Sequence, residues 1–258
     1  MSLKKFRTLI AVSAIAVGMF ATTAFARDLR IATEGTFPPF NFTDAGGKLT
    51  GFDVEIANAL CDRMKVKCEI IAQEWDGMIP ALNAKKYDLI VASMAVTDKR
   101  KEQVAFSNKY QDSTSQFAAK KGTFPDTSPD ALKGKRIGVQ RGSVHDSYLT
   151  ANYPNAEIVR YDKTTDAEMD LLAGRVDVLF GNRVTALLGF LTKPEAKDFE
   201  LVGKIYSGNG LGEGNAIAMR KDDTELLGQV NDALAAIMAD GTYDKIESKY
   251  FPFKLLNK

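Results

Sequence analysis

Leu89-Ile90-Val91-Ala92-Ser93-Met94-Ala95-Val96-Thr97-Asp98-Lys99-Arg100 decides how this chain folds. Its first half reads as a buried strand over residues 87–92, and Thr97 or Asp98 opens a helix. Upstream of it, residues 75–84 read as a short helix and Cys68–Ala72 as a strand. Phe52–Met64 has helical spacing, with Val54, Ile56, Ala57, Leu60 and Met64 apolar, and residues 27–33 alternate like a first strand. The result is a βαβαβ run, the unit of a parallel, doubly wound sheet. Phe37-Pro38-Pro39-Phe40-Asn41-Phe42 is a proline-stiffened aromatic loop, and residues 44–48 read as a turn.

The period breaks across residues 110–130, which hold two prolines, a glycine and several Ser and Thr. It then restarts. A strand is expected over Arg136–Gln140, a helix over 144–151, a strand over 156–161, a helix over 167–174 and a strand over 176–180. Two such runs separated by a break predict two similar lobes. The glycine-rich segment 208–214 suits a crossing or hinge between them. A late strand is expected over 216–219, and residues 223–250 read as helix interrupted near Gly241.

Residues 1–26 stand apart. Lys4, Lys5 and Arg7 precede an apolar stretch from Leu9 to Phe20, and Ala24-Phe25-Ala26 has the form of a signal-peptidase site. The expectation is a cleaved leader, with the mature chain starting at Arg27. The chain carries 34 Lys+Arg against 33 Asp+Glu, a near-neutral balance. General nucleic-acid binding needs a basic face and is therefore not expected. Cys61 and Cys68 are the two cysteines, one at a helix end and one at a strand start. Export favours a disulfide between them. Two thiols alone make a poor zinc site, which usually takes four ligands.

Open α/β sheets bind ligands beyond the carboxyl ends of their strands. Those ends are residues 34–37, 73–76, 92–100, 141–145 and 181–183. Arg100 offers a planar charged fork for a carboxylate, beside amides that a helix start leaves free. Glu34 and Phe37, an acid beside a ring, suit a cation. Trp75, the only tryptophan, is placed either to stack on a ligand or to fill a core. Gly142-Ser143-Val144-His145 is a second strand-to-helix turn, where glycine permits close approach and the amides of Val144 and His145 suit an anion. His145 is the sole histidine and has no second metal ligand near it in sequence. Asn182 can accept through its oxygen or donate through its nitrogen.

Several motifs together resemble the periplasmic polar-amino-acid-binding proteins of ABC importers, solute-binding protein family 3. They are Gly51-Phe52-Asp53, the Cys61/Cys68 pair, Trp75-Asp76-Gly77-Met78-Ile79-Pro80, Thr97-Asp98-Lys99-Arg100, Ala173-Gly174-Arg175-Val176-Asp177 and Asp240-Gly241-Thr242-Tyr243. The subgroup they resemble contains lysine/arginine/ornithine-, histidine- and opine-binding members. The resemblance implies the two-lobed, type II periplasmic-binding-protein fold of class α/β. Each lobe is then a mixed, mostly parallel sheet flanked by helices, and two hinge strands join them. Lobe 1 would combine residues 27–112 with 208–258, and lobe 2 would hold 113–207. A monomer in the periplasm, without cofactor or metal, would close over one amino acid and deliver it to an inner-membrane permease.

The resemblance also assigns roles. The arginine at Arg100 grips the ligand α-carboxylate, helped by amides at Ala95 and Val144. The residue at Ser93 contacts the α-ammonium. Rings at Phe37 and Trp75 sandwich the ligand side chain, and the acid at Glu34 reads its charged end. Ala92, Met94, Ser143, His145 and Asn182 complete the implied ligand-binding set. Two positions depart from the pattern. Basic-amino-acid binders commonly have a hydroxyl where this chain has Ala95, and an aspartate where it has Asn182. Leaving a buried ammonium without its anion costs roughly 3–5 kcal/mol. The expected ligand is therefore a cationic amino acid or an opine-like derivative, such as octopine, whose α-nitrogen bears a second carboxyl-bearing group. That added carboxylate is expected to meet Ser143, His145 or Arg141. The other class considered is an enzyme on the same fold, of cyclohexadienyl or arogenate dehydratase type, with Glu34, Glu74, Asp76 or His145 as its acid.

Overall fold

A computed structural model describes residues 28–256, and the expected leader over 1–26 lies outside the described residues. The first half of the chain runs β1 (Leu29–Thr33), β2 (Thr36–Phe37), β3 (Asn41–Thr43), β4 (Leu49–Thr50), α1 (Phe52–Met64), β5 (Cys68–Ala72), α2 (Met78–Asn83), β6 (Leu89–Ile90), α3 (Asp98–Lys101) and β7 (Ala105–Phe106). The second half continues with β8 (Ser115–Lys120), β9 (Arg136–Gln140), α4 (Val144–Asn152), β10 (Glu157–Tyr161), α5 (Thr164–Leu172), β11 (Val178–Asn182), β12 (Phe199–Tyr206), β13 (Ala218–Met219), α6 (Thr224–Ala239) and α7 (Thr242–Tyr250).

Two five-stranded sheets result, ordered β5-β1-β6-β13-β7 and β10-β9-β11-β8-β12. In the first, β1 is parallel to β5 and β6, and β13 is antiparallel to β6 and β7. In the second, β9 is parallel to β10 and β11, and β8 is antiparallel to β11 and β12. The two lobes thus share one topology, and the first takes its antiparallel strand from far down the chain. The chain crosses between the lobes twice, and the crossings pair with each other at Gln111 and Asn215. The Asn215 N–H donates to the Gln111 carbonyl at 2.9 Å, and the Tyr110 N–H to the Asn215 carbonyl at 3.0 Å.

Each lobe has its own core. The apolar stripe of α1 (Phe52, Ile56, Leu60) packs with Val230 and Leu234 of α6 and Tyr243 of α7. In the second lobe Phe117, Val139 and Phe180 pack with Tyr153 and Tyr206. Cys61 and Cys68 are disulfide-bonded, tying the last turn of α1 to the start of β5. The bridge joins residues 7 apart, and closing so short a loop stabilises by about 2.5 kcal/mol on chain entropy. Replacing both cysteines with alanine is expected to lower unfolding free energy by about that amount, measured by chemical denaturation.

The structure corrects two sequence expectations. Residues 110–130 are not a break, because β8 runs through them as an inner strand between β11 and β12. Its first five residues, Ser115–Ala119, are all buried, so they show no inside-outside alternation, and Ser, Gln and Ala carry little strand preference. The strand expected over 176–180 begins at Val178 and includes Asn182 as its last residue. The helix expected to open at Thr97 or Asp98 does so: it is a single turn, capped by the Thr97 hydroxyl accepting from the Arg100 N–H at 3.3 Å.

Candidate functional site

One cavity is lined by residues that follow β1 and β6 in one lobe and by residues that end β9 and β11 in the other. About 820 Å³ within it, space open to solvent included, is not filled by protein atoms. Two glycines let the lobes approach there. A Cβ on Gly142 would lie 2.6 Å from Asp76 Oδ1, and one on Gly189 would lie 2.5 Å from the Pro38 carbonyl oxygen.

Of the residues expected from the sequence, Glu34, Phe37, Trp75, Ala92, Ser93, Ala95, Arg100, Val144, His145 and Asn182 line this cavity. Met94 and Ser143 do not. The Met94 side chain packs in the core with Met78 and Leu82. Ser143 is consumed as a helix cap: its hydroxyl donates to the Gln140 carbonyl at 2.7 Å and accepts from the Asp146 N–H at 3.1 Å. Arg141 is exposed and pairs with Asp162 at 3.1 Å. Of the three residues expected to meet an added carboxylate, only His145 is at the cavity wall.

Arg100 donates from Nη1 to the Ala95 carbonyl at 2.9 Å and lies 5.2 Å from the centroid of the Trp75 ring. These contacts fix the guanidinium plane. No carboxylate among the described residues pairs with it, and burial lowers its pKa from 12.5 to about 10. It is a cation held ready for an anion. Trp75 was expected to face a ligand; it also backs Arg100. Val144 and His145 open α4, so their N–H groups have no carbonyl one turn back to bond. His145 Nε2 and the Ser115 hydroxyl lie 2.9 Å apart. Burial and the Arg100 charge lower its pKa from 6.5 to about 4, so it is neutral near pH 7.

Two acids line the cavity: Glu168 is paired with Lys193 at 2.9 Å, and Glu34 has no ion-pair partner among the described residues. Glu34 Oε1 accepts from the Thr36 hydroxyl at 2.8 Å and from Gln140 Nε2 at 2.6 Å. Gln140 ends β9 in the other lobe, so this bond bridges the cleft. Burial raises the Glu34 pKa from 4.5 to about 7, despite those donors and the more distant Lys163. Sequence reasoning missed Gln140; its place as the last residue of a correctly bounded strand was the available signal.

Asn182 has a defined orientation. Its Oδ1 accepts from the Val184 N–H at 2.9 Å and the Thr185 N–H at 3.0 Å, and its Nδ2 donates to the Ser113 hydroxyl at 3.3 Å. The two backbone donors decide which amide atom is oxygen. Asn182 therefore commits its acceptor to the following turn and has only N–H groups left to offer.

The geometry agrees with the comparisons. The model of the bacterial extracellular solute-binding proteins, family 3, matches residues 29–253. The chain belongs to that family. Among its relatives in the family, the L-arginine-binding protein of Pseudomonas aeruginosa is 42% identical over 252 residues, covering 96% of this chain and 97% of that one. The lysine/arginine/ornithine-binding periplasmic protein of Escherichia coli K12 is 39% identical over 235 residues, 90% of each. The solved structure of an ancestral arginine-binding protein bound to arginine superposes with a TM-score of 0.82 at 38% identity, covering 88% of this chain and 99% of that one. The expected type II fold is thus the observed one.

Proposed function

We propose that this protein binds a cationic amino acid, or an opine-like derivative of one, in the periplasm and delivers it to an ABC importer. One observation carries the reading. A half-buried cation, Arg100, and a buried acid, Glu34, line the same cavity without pairing with each other. Charges held apart in this way are complementary to a ligand with a carboxylate at one point and a cation at another. Relatives named for arginine, lysine and ornithine support the same class. The mechanism is capture between two lobes that close about the paired crossings, followed by docking of the closed form on the permease. Saturable binding without chemical turnover is expected, which separates this reading from a dehydratase.

Asn182 supports the opine-like branch. A carboxylate there has an oxygen to spare for an ammonium, whereas this amide has only N–H groups left. Calorimetry with arginine, lysine, ornithine, histidine and octopine tests the reading. Binding of none of them overturns it; tight arginine binding with no octopine binding removes the opine branch. Asn182→Asp is expected to raise affinity for the free basic amino acids at least about tenfold, since each new charge-assisted bond contributes roughly 1.5–3 kcal/mol.

A further inference from the structure

Asp53 lies in the first turn of α1, is fully buried and does not line the cavity. Its Oδ2 accepts from Asn41 Nδ2 at 2.8 Å and from the Ser93 hydroxyl at 2.9 Å, and its Oδ1 accepts from the Tyr110 hydroxyl at 2.7 Å. The Tyr110 hydroxyl in turn accepts from the Ser93 N–H at 3.0 Å. Ser93 is held at both ends and sits at φ +49°, a backbone region unusual for serine. Burial raises the Asp53 pKa from 3.8 to about 6 against these three donors. Asp53 is therefore mostly ionised near pH 7, and among the described residues its hydrogen-bond partners are all neutral.

A serine hydroxyl has one proton to donate and two lone pairs. Ser93 spends its proton on Asp53, so a cavity ligand meets the hydroxyl as an acceptor alone. Asn182 has no free acceptor to offer. We propose that Asp53 is a positioning residue that fixes Ser93 as an acceptor and thereby selects a ligand whose nitrogen beside the carboxylate donates hydrogen bonds. The negative charge that this chain lacks at position 182 is supplied one hydroxyl removed, from behind the β6 strand end. The class of ligand rests on the functional reading above; the direction of the Ser93 bond does not. Asn41 extends the same control to the acid loop, because its Oδ1 accepts from the Gly35 N–H at 2.9 Å.

The test compares wild type, Asp53→Asn, Ser93→Ala and the double variant by calorimetry against arginine, octopine and the desamino analogue of arginine, which keeps the carboxylate and guanidinium but has hydrogen in place of the α-nitrogen. The quantity read is the preference for the tighter amine over the desamino analogue. It is expected to fall at least tenfold in each single variant and no further in the double variant. Affinity for the desamino analogue is expected to stay within threefold of wild type, which also shows that the variants are folded. An equal loss for amine and desamino probes reduces Asp53 to a structural role and overturns the proposal. So does an unchanged preference in Ser93→Ala, a variant that needs only a hydroxyl removed. Wild-type protein that binds neither amine overturns the functional reading itself, and this proposal with it.

Discussion

Replacing Arg100 with alanine is expected to weaken ligand binding by at least about thirtyfold, because truncating one partner of a buried charge pair costs roughly 2–5 kcal/mol. Nothing else at the cavity wall can take over. Among the described residues lining it, Arg100 is the one cationic side chain, since His145 is held neutral. The remaining donors are the amides that open α4 and side-chain N–H groups such as those of Asn182, which carry no net charge. Lysine is not an adequate substitute. It keeps the charge but loses the planar fork that the Ala95 carbonyl and the Trp75 face hold in place. Arg100→Lys should therefore fall between wild type and Arg100→Ala. Unliganded stability should move the other way. A half-buried guanidinium with no anion is compensated only by the Ala95 carbonyl and the Trp75 face, so removing it should leave the melting temperature nearly unchanged or raised. Calorimetry and thermal unfolding in the absence of ligand measure the two effects. Binding that survives Arg100→Ala would remove the carboxylate clamp; a large drop in unliganded stability would make Arg100 a structural residue.

Much of this site was legible in the sequence because it sits where local pattern changes. Phe52–Met64, Cys68–Ala72 and Arg136–Gln140 are bounded by turn residues, and their expected limits match the structure. The residues just past such elements follow from topology, which is how Glu34, Ser93, Arg100 and Val144 were reached. What escaped depends on partners distant in sequence. Asp53 is an ordinary first-turn acid until Asn41, Ser93 and Tyr110 converge on it from 12, 40 and 57 residues away. Strand β8 escaped because burial on both faces erases period-two alternation. Met94 and Ser143 lie among cavity-lining neighbours, but the Met94 side chain packs into the core past the end of β6 and the α4 cap consumes Ser143. The role of Asn182 was half readable. Its identity marked a departure, and only the Val184 and Thr185 donors show which atom it offers.

Glu34 should make selectivity, rather than affinity, depend on pH. In an open, solvated cleft its carboxyl is expected near its ordinary 4.5, whereas in the closed arrangement burial lifts it to about 7. A ligand whose far end is cationic pairs with the carboxylate and keeps it ionised, so its affinity should vary little from pH 8 to pH 6. A neutral isostere, with a ureido group in place of guanidinium, supplies no charge. Closing over it leaves Glu34 at about 7, so the bound state takes up a proton that the open state lacks. The sign follows: the group with the raised pKa is protonated in the closed complex, and closure over the neutral ligand strengthens as pH falls below 7. The gain approaches about tenfold per pH unit until the open-state pKa is reached. Discrimination between arginine and citrulline should thus be largest at pH 8 and shrink by at least about tenfold at pH 5.5. Asp53, with its pKa near 6, and His145, near 4, stand close to the same cavity, so the control is Glu34→Gln. That variant keeps both groups and the bulk of the side chain but has no carboxyl to titrate. It should bind arginine about a hundredfold more weakly, as expected when a buried cation loses its anion, and its arginine-to-citrulline ratio should be near one and flat with pH. A ratio that still changes with pH in Glu34→Gln would move the effect to Asp53. A wild-type ratio that is flat from pH 8 to pH 5.5 would mean that Glu34 does not read the ligand's charged end.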